Sequence, residues 1–163
     1  MTLLEPVASR RETSWQPTWF ALWLAITGIG LYLKPDPAGH GTHQQLGLPP
    51  CPSVLLFDRP CPGCGLTTSW TALLHGQWAF AFHAHPLGPL LYALFTVTAL
   101  LGLYGFVRSE RVVYDSPQMS RFMTCSAIGF LVFGLVRMAI TPHFQTEQEQ
   151  AIASQISGHQ AKN

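Results

Sequence analysis

The chain has 163 residues, a net charge of +1, and only 10% Asp, Glu, Lys and Arg, against about 25% in soluble domains. That length suits one domain, and the near-neutral balance leaves no electrostatic footprint for nucleic acid. Charge this sparse, with 48% hydrophobic and 12% aromatic residues, points to a membrane rather than a soluble surface.

Residues 1–14 read as a polar lead. The first apolar run, 17–33, is at the short limit for a span, with Trp15, Trp19 and Tyr32 as interfacial anchors. Arg10 and Arg11 precede it like the basic region of a signal peptide. The following Lys34-Pro35-Asp36-Pro37 has no small-residue cleavage site, so an uncleaved anchor is expected.

Residues 34–60 hold six prolines and no helical period, and read as an irregular part of a Cys/Pro-rich loop over 34–65. Residues 66–82 follow it with His75, Gly76 and Gln77 at their middle. In a span that trio would face hydrocarbon, which is costly. Two short interfacial or re-entrant helices within 66–86, bent at Gly76, fit better. Pro86, lacking an N–H, would open the next span.

The second span, 87–107, carries no charge. The third, 122–140, carries Arg137 three residues from its end, where it can snorkel or pair with Asp58 or a loop carbonyl. Pro142 stops that helix. The tail, 141–163, is polar, and disorder or weak helix is expected there. Residues 15–140 thus form one all-α membrane domain with three spans. Arg10, Arg11, Arg108, Arg111 and Arg121 lie at one end of those spans and only Lys34 and Arg59 in the long loop. The positive-inside rule then predicts a cytoplasmic N-terminus, with the cysteine loop and C-terminus outside.

The loop carries Cys51, Cys61 and Cys64, the last two in Pro60-Cys61-Pro62-Gly63-Cys64-Gly65-Leu66-Thr67-Thr68. Cys125, inside the third span, reads as a packing residue. Three physical readings of the loop thiols stay open. Cys51 can bridge to Cys61 or Cys64, as an oxidising compartment favours, leaving one thiol over. The three thiolates can bind zinc with one imidazole, in Cys3His geometry. His40, His43, His75, His83 and His85 are the candidate fourth ligands. Or Cys61 and Cys64 form a redox pair, with Cys64 near the N-terminus of the 66–74 helix. Compartment and cysteine parity put the bridge first. The spacing lacks the adjoining histidine of c-type haem attachment. His83 and His85 read first as polar residues at the membrane surface. No hydrolase, zinc-protease, P-loop or dinucleotide fingerprint occurs, and a non-enzymatic role is expected.

Cys51, then Cys61-Pro62-Gly63-Cys64-Gly65-Leu66-Thr67, then Gly76, Ala81-Phe82 and Pro86-Leu87 resemble the bacterial membrane family called domain of unknown function 2752. The resemblance covers roughly residues 46–107, and its specific part is the Cys-Pro-Gly-Cys-Gly-Leu-Thr core. The chain departs from the family with Thr68 in place of Arg, Gln77 in place of Asp and His85 in place of Asn. The resemblance implies a small bacterial inner-membrane protein and no particular reaction. The expectation is an accessory subunit in the lipid bilayer, beside a membrane-protein partner, with zinc-binding or thiol-redox function as the alternative.

Overall fold

The computed structural model describes residues 4–6, 13–112 and 117–160. Arg10 and Arg11, and the side chain of Arg111, lie outside the described residues, so the orientation expected from them rests here on Arg108 and Arg121.

Seven α-helices are described: α1 (Trp15–Tyr32), α2 (Pro52–Phe57), α3 (Leu66–Leu74), α4 (Trp78–Ala84), α5 (Gly88–Arg108), α6 (Pro117–Ile140) and α7 (Glu147–Gln160). A 3-10 turn at Thr42–Leu46 precedes α2. Besides the helices there is one short antiparallel ribbon, β1 (Leu4–Pro6) with β2 (Glu110–Val112), in which Glu5 faces Arg111 in register. Two helices are long and apolar enough to cross a membrane, Gly88–Arg108 and Ser120–Ile140. At 1.5 Å per residue each is about 31 Å long, the thickness of a hydrocarbon core. The first expected span forms a helix too, but its Gln16, Thr18 and three tryptophans make it less apolar than these two.

Polar side chains join α1 to α5. Trp19 Nε1 donates to Thr98 Oγ1 at 3.2 Å and Trp23 Nε1 to Thr96 Oγ1 at 3.0 Å. The Thr27 and Tyr92 hydroxyls share a hydrogen bond at 2.7 Å. Partner numbers fall on α5 as they rise on α1, so the two helices run antiparallel. Ala99 and Gly102 are buried along α5, and small residues let helix backbones approach.

The segment 66–84 forms two helices, as expected. Gly76 takes φ +74°, a left-handed conformation that costs a glycine little. The chain reverses there, and α4 packs back on α3. Pro89, rather than Pro86, is the proline in the first turn of α5, and Pro86 sits in the turn before it. The irregular loop holds more order than its prolines suggest. Pro52 starts α2, where its fixed φ suits a helix and its missing N–H costs nothing. The tail, where disorder or weak helix is expected, carries α7 over Glu147–Gln160. Thr146 caps it: the Glu149 N–H donates to Thr146 Oγ1 and the Thr146 N–H to Glu149 Oε2 at 2.9 Å. This reciprocal pair is a capping box.

Candidate thiol site

The Cys61-to-Cys64 knuckle is a turn closed on its own backbone. The Cys64 N–H donates to the Cys61 carbonyl and the Leu66 N–H to the Gly63 carbonyl, both at 3.0 Å. Gly65 takes φ +85°, and a Cβ there would collide with the carbonyl oxygens of Ala84 and Gly39. No other residue fits without moving the loop. α3 starts at the next residue.

The turn brings the sulfurs together. The Sγ atoms of Cys51, Cys61 and Cys64 all lie within 4.8 Å of one another. The Cys64 thiol donates to Cys61 Sγ at 3.1 Å, and the Cys61 N–H donates to Cys64 Sγ at 3.1 Å. None of the three is bonded to another. Cys51 arrives from the residue before α2, where its extended backbone caps the helix and its carbonyl accepts from the Val54 and Leu55 N–H groups. Hydrogen bonds from Cys64 and then Cys51, with the Gly63 and Cys64 N–H groups, outweigh burial and hold the Cys61 thiol down to about 5. The Cys64 thiol is pushed up, first because it donates to Cys61 and then by burial. The two thiols titrate as a pair, and the hydrogen bonds favour Cys61 as the one that gives up the first proton.

The sulfurs line a pocket of about 240 Å³, with His40, His43, Thr67, Thr68 and Glu149 on its other walls. Thr68 is fully buried and shares a 2.8 Å hydrogen bond with Thr42. Of the five candidate fourth ligands only His40 and His43 reach this pocket. Both nitrogens of His40 are engaged, Nδ1 with the Ala38 carbonyl and Nε2 with Glu149 Oε2 at 3.0 Å. His43 bonds through Nε2 to the Pro49 carbonyl at 3.2 Å. His75 Nε2 bonds to the Leu33 carbonyl at 2.9 Å, and His83 is exposed beside Phe80. His85 is fully buried, with Nε2 on the Pro62 carbonyl at 3.0 Å and its ring near Phe130 and Phe133. Burial holds its pKa down, which favours the neutral ring, and its Nδ1 has no hydrogen-bond partner among the described residues. No imidazole joins the three sulfurs as a fourth ligand atom among the described residues.

α6 docks on the same knuckle. A Cβ at Gly134 would collide with Pro62, so glycine lets the helix seat on that ring. Arg137 donates from Nη1 to the Cys64 carbonyl at 2.7 Å and from Nη2 to the Ala84 carbonyl at 3.0 Å. Of its two expected partners the loop carbonyl is found. Asp58 instead accepts from the Gln145 N–H at 2.8 Å and contacts His143. Arg59 closes the end of α6, with Nη1 on the carbonyls of Met138 and Ala139 at 2.8 and 2.7 Å. Cys125 is exposed on α6, far along the chain from the triad.

Residues 51–99 match the model of a protein family of unknown function, DUF2752. The match opens at Cys51 and takes in all three loop cysteines, α2 to α4, and α5 as far as Ala99. The remaining pocket walls, His40, His43 and Glu149, and the Arg137 clamp lie outside the DUF2752 segment. No curated protein and no solved structure matches the chain.

Glu149 and Gly134 are the site-building residues that sequence reasoning missed. The signal for the first was present as Thr146-Glu147-Gln148-Glu149 before Ala151 and Ile152, a capping-box pattern. Nothing local marks Gly134, because its reason is a distant proline.

Proposed function

We propose that the chain is a three-span membrane protein that holds a soft metal ion with Cys51, Cys61 and Cys64 at one end of its helices. The observation that carries this reading is three unbonded sulfurs within 4.8 Å of one another. Zinc–sulfur bonds of about 2.3 Å set neighbouring sulfurs about 3.8 Å apart around one ion, so small adjustments suffice. Thiolates select soft or borderline ions over magnesium or calcium. The fourth position faces the pocket, where water or His43 would fill it.

The membrane part of the reading is supported by the two apolar helices and by the hydrogen-bond ladder that lays α1 along α5. If α5 spans, its antiparallel partner spans beside it. The ends also sort. The cysteine loop, the start of α5 and the end of α6 meet at one end. The start of α1, Arg108 and Arg121 belong to the other, which is the cytoplasmic end by the positive-inside rule. The site then lies on the outer face of a bacterial inner membrane.

The test is a titration of the reduced, detergent-solubilised chain with Cd²⁺. One ion per chain is expected, with a sulfur-to-metal charge-transfer band lost in C51S, C61S and C64S and kept in C125S. Absence of binding to the reduced protein sinks the metal reading. A second reading, a Cys61–Cys64 redox pair, is favoured by their 3.1 Å approach. Peptide mapping after alkylation of cells without reductant identifies it, by Cys61 and Cys64 escaping the label while Cys51 takes it. A stable bridge to Cys51 instead would return the loop to a locked accessory role.

A further inference from the structure

The guanidinium of Arg137 is half-buried against the knuckle, and no carboxylate pairs with it among the described residues. Its hydrogen bonds go to two neutral carbonyls, one of them belonging to Cys64 itself, and the Phe144 ring lies 5.7 Å from its carbon. Carbonyls and a ring face soften the cost of withdrawing a cation from water, but they carry no opposite charge. An intramembrane arginine ordinarily faces a partner that does.

The anion in reach is the thiol cluster. Three thiolates around a divalent ion carry one net negative charge. One guanidinium cancels it. We propose that Arg137 is the built-in counter-charge of the Cys51–Cys61–Cys64 site, matching it to a divalent soft ion. This deepens the metal reading above and rests on it. Arg137 touches no ligand atom; it is a positioning residue that acts through the Cys64 backbone and through its charge. A monovalent ion in the same three thiolates would leave two negative charges, of which Arg137 offsets half. Selectivity for charge thus comes from a residue on α6, outside the DUF2752 segment that supplies all the sulfurs.

The experiment compares the wild-type chain, R137K and R137Q in detergent, each titrated by competition with Cd²⁺ and with Ag⁺. In R137Q we expect Ag⁺ affinity to fall roughly tenfold more than Cd²⁺ affinity, because the Ag⁺ complex carries one negative charge more than the Cd²⁺ complex and the lost attraction scales with that difference. R137K keeps the charge without the fork, and both affinities should stay within about threefold of wild type. An unchanged Cd²⁺ charge-transfer band in R137Q would verify that the three thiolates still bind. The proposal is overturned if R137Q binds both ions like wild type, or loses the same factor for both. The second outcome would make Arg137 a mechanical clamp. If R137Q does not fold, R137K decides: a clamp loses affinity with lysine, a counter-charge keeps it. Failure of the wild type to bind either ion is a different result, which removes the metal reading and this inference together.

Discussion

Glu149 Oε2 accepts a hydrogen bond from His40 Nε2 at 3.0 Å, joining residues 109 positions apart in the sequence. The carboxylate is 3% exposed and also takes the Thr146 N–H, the Thr146 hydroxyl and Gln44 Nε2. The tail helix is therefore fastened to the wall of the thiol pocket through one side chain.

That fastening predicts a pH dependence. Burial pushes the Glu149 pKa up, but the bonds from Thr146 and His40 outweigh it and hold it below 4.5. A lowered carboxylate pKa contributes stability that is complete above the ordinary value and lost as pH falls through the folded one. The hydrogen-exchange protection factor across 147–156, taken relative to the intrinsic rate at each pH, should be constant from about pH 7 to about pH 5. It should then fall as the solution is taken further below 4.5. E149Q should show low protection throughout that range, with no pH step of its own.

Two glycines of the knuckle make a matched pair for mutation. At Gly65 a Cβ meets two carbonyl oxygens in a left-handed backbone, while at Gly63 it meets nothing within 4 Å. Gly65→Ala should cost at least about 2 kcal/mol of stability and disperse the sulfurs. Gly63→Ala should stay within about 0.5 kcal/mol. Thermal denaturation in one detergent compares the two. Equal losses would mean that the turn tolerates a side chain at Gly65.

Thiol chemistry should differ sharply along the triad. With Cys61 held at about 5 by its neighbours, its thiolate is fully formed above about pH 6. Its alkylation rate should then be flat between about pH 6 and 8, where an ordinary thiol gains about tenfold per unit. Cys64, buried and pushed the other way, should react last. C64A removes the main donor and should steepen the pH dependence at Cys61 toward that of an ordinary thiol. Mass spectrometry of the reduced protein after timed iodoacetamide pulses reads each site.

How much of this was legible in the sequence varies with range. The two apolar helices were readable to within a few residues, since length and absence of charge are local facts. So was the bend at Gly76, because three polar residues cannot sit in hydrocarbon. The proximity of Cys51 to the knuckle followed from a short, proline-bounded loop. Composition masks α7: glutamine and serine suggest disorder or weak helix, and the Thr146–Glu149 cap is the local sign of order. The carbonyl partners of Arg137 could not be chosen over Asp58, because Cys64 and Ala84 come together only after α3 and α4 fold back. For the same reason the sequence could not choose a fourth ligand among five histidines, and it read His85 first as a polar residue at the membrane surface. Only the tertiary fold engages both nitrogens of His40 and buries His85 behind the knuckle.

The arrangement of helix ends makes the last prediction, which concerns topology. Trp19, Trp23 and Thr27 on α1 bond to Thr98, Thr96 and Tyr92 on α5, so α1 crosses whatever α5 crosses. Arg59 and Arg137 hold the end of α6 at the cysteine loop. A reporter fused after Asn163 should therefore report the same side as one inserted at Gly47, which takes φ +77° in an exposed turn with open space around it. A reporter inserted between Val113 and Ser116 should report the opposite, cytoplasmic side. An impermeant maleimide on intact spheroplasts should label Cys61 and spare Cys125, whose helix would face lipid on the three-span reading. Replacing Thr96 with Val removes one rung, and at about 0.6 kcal/mol for such a bond in a membrane it should weaken the chain without altering these sides. Opposite sides for the two outer reporters would mean that α6 does not cross the membrane or that α3 and α4 do. Either result would break the three-span reading.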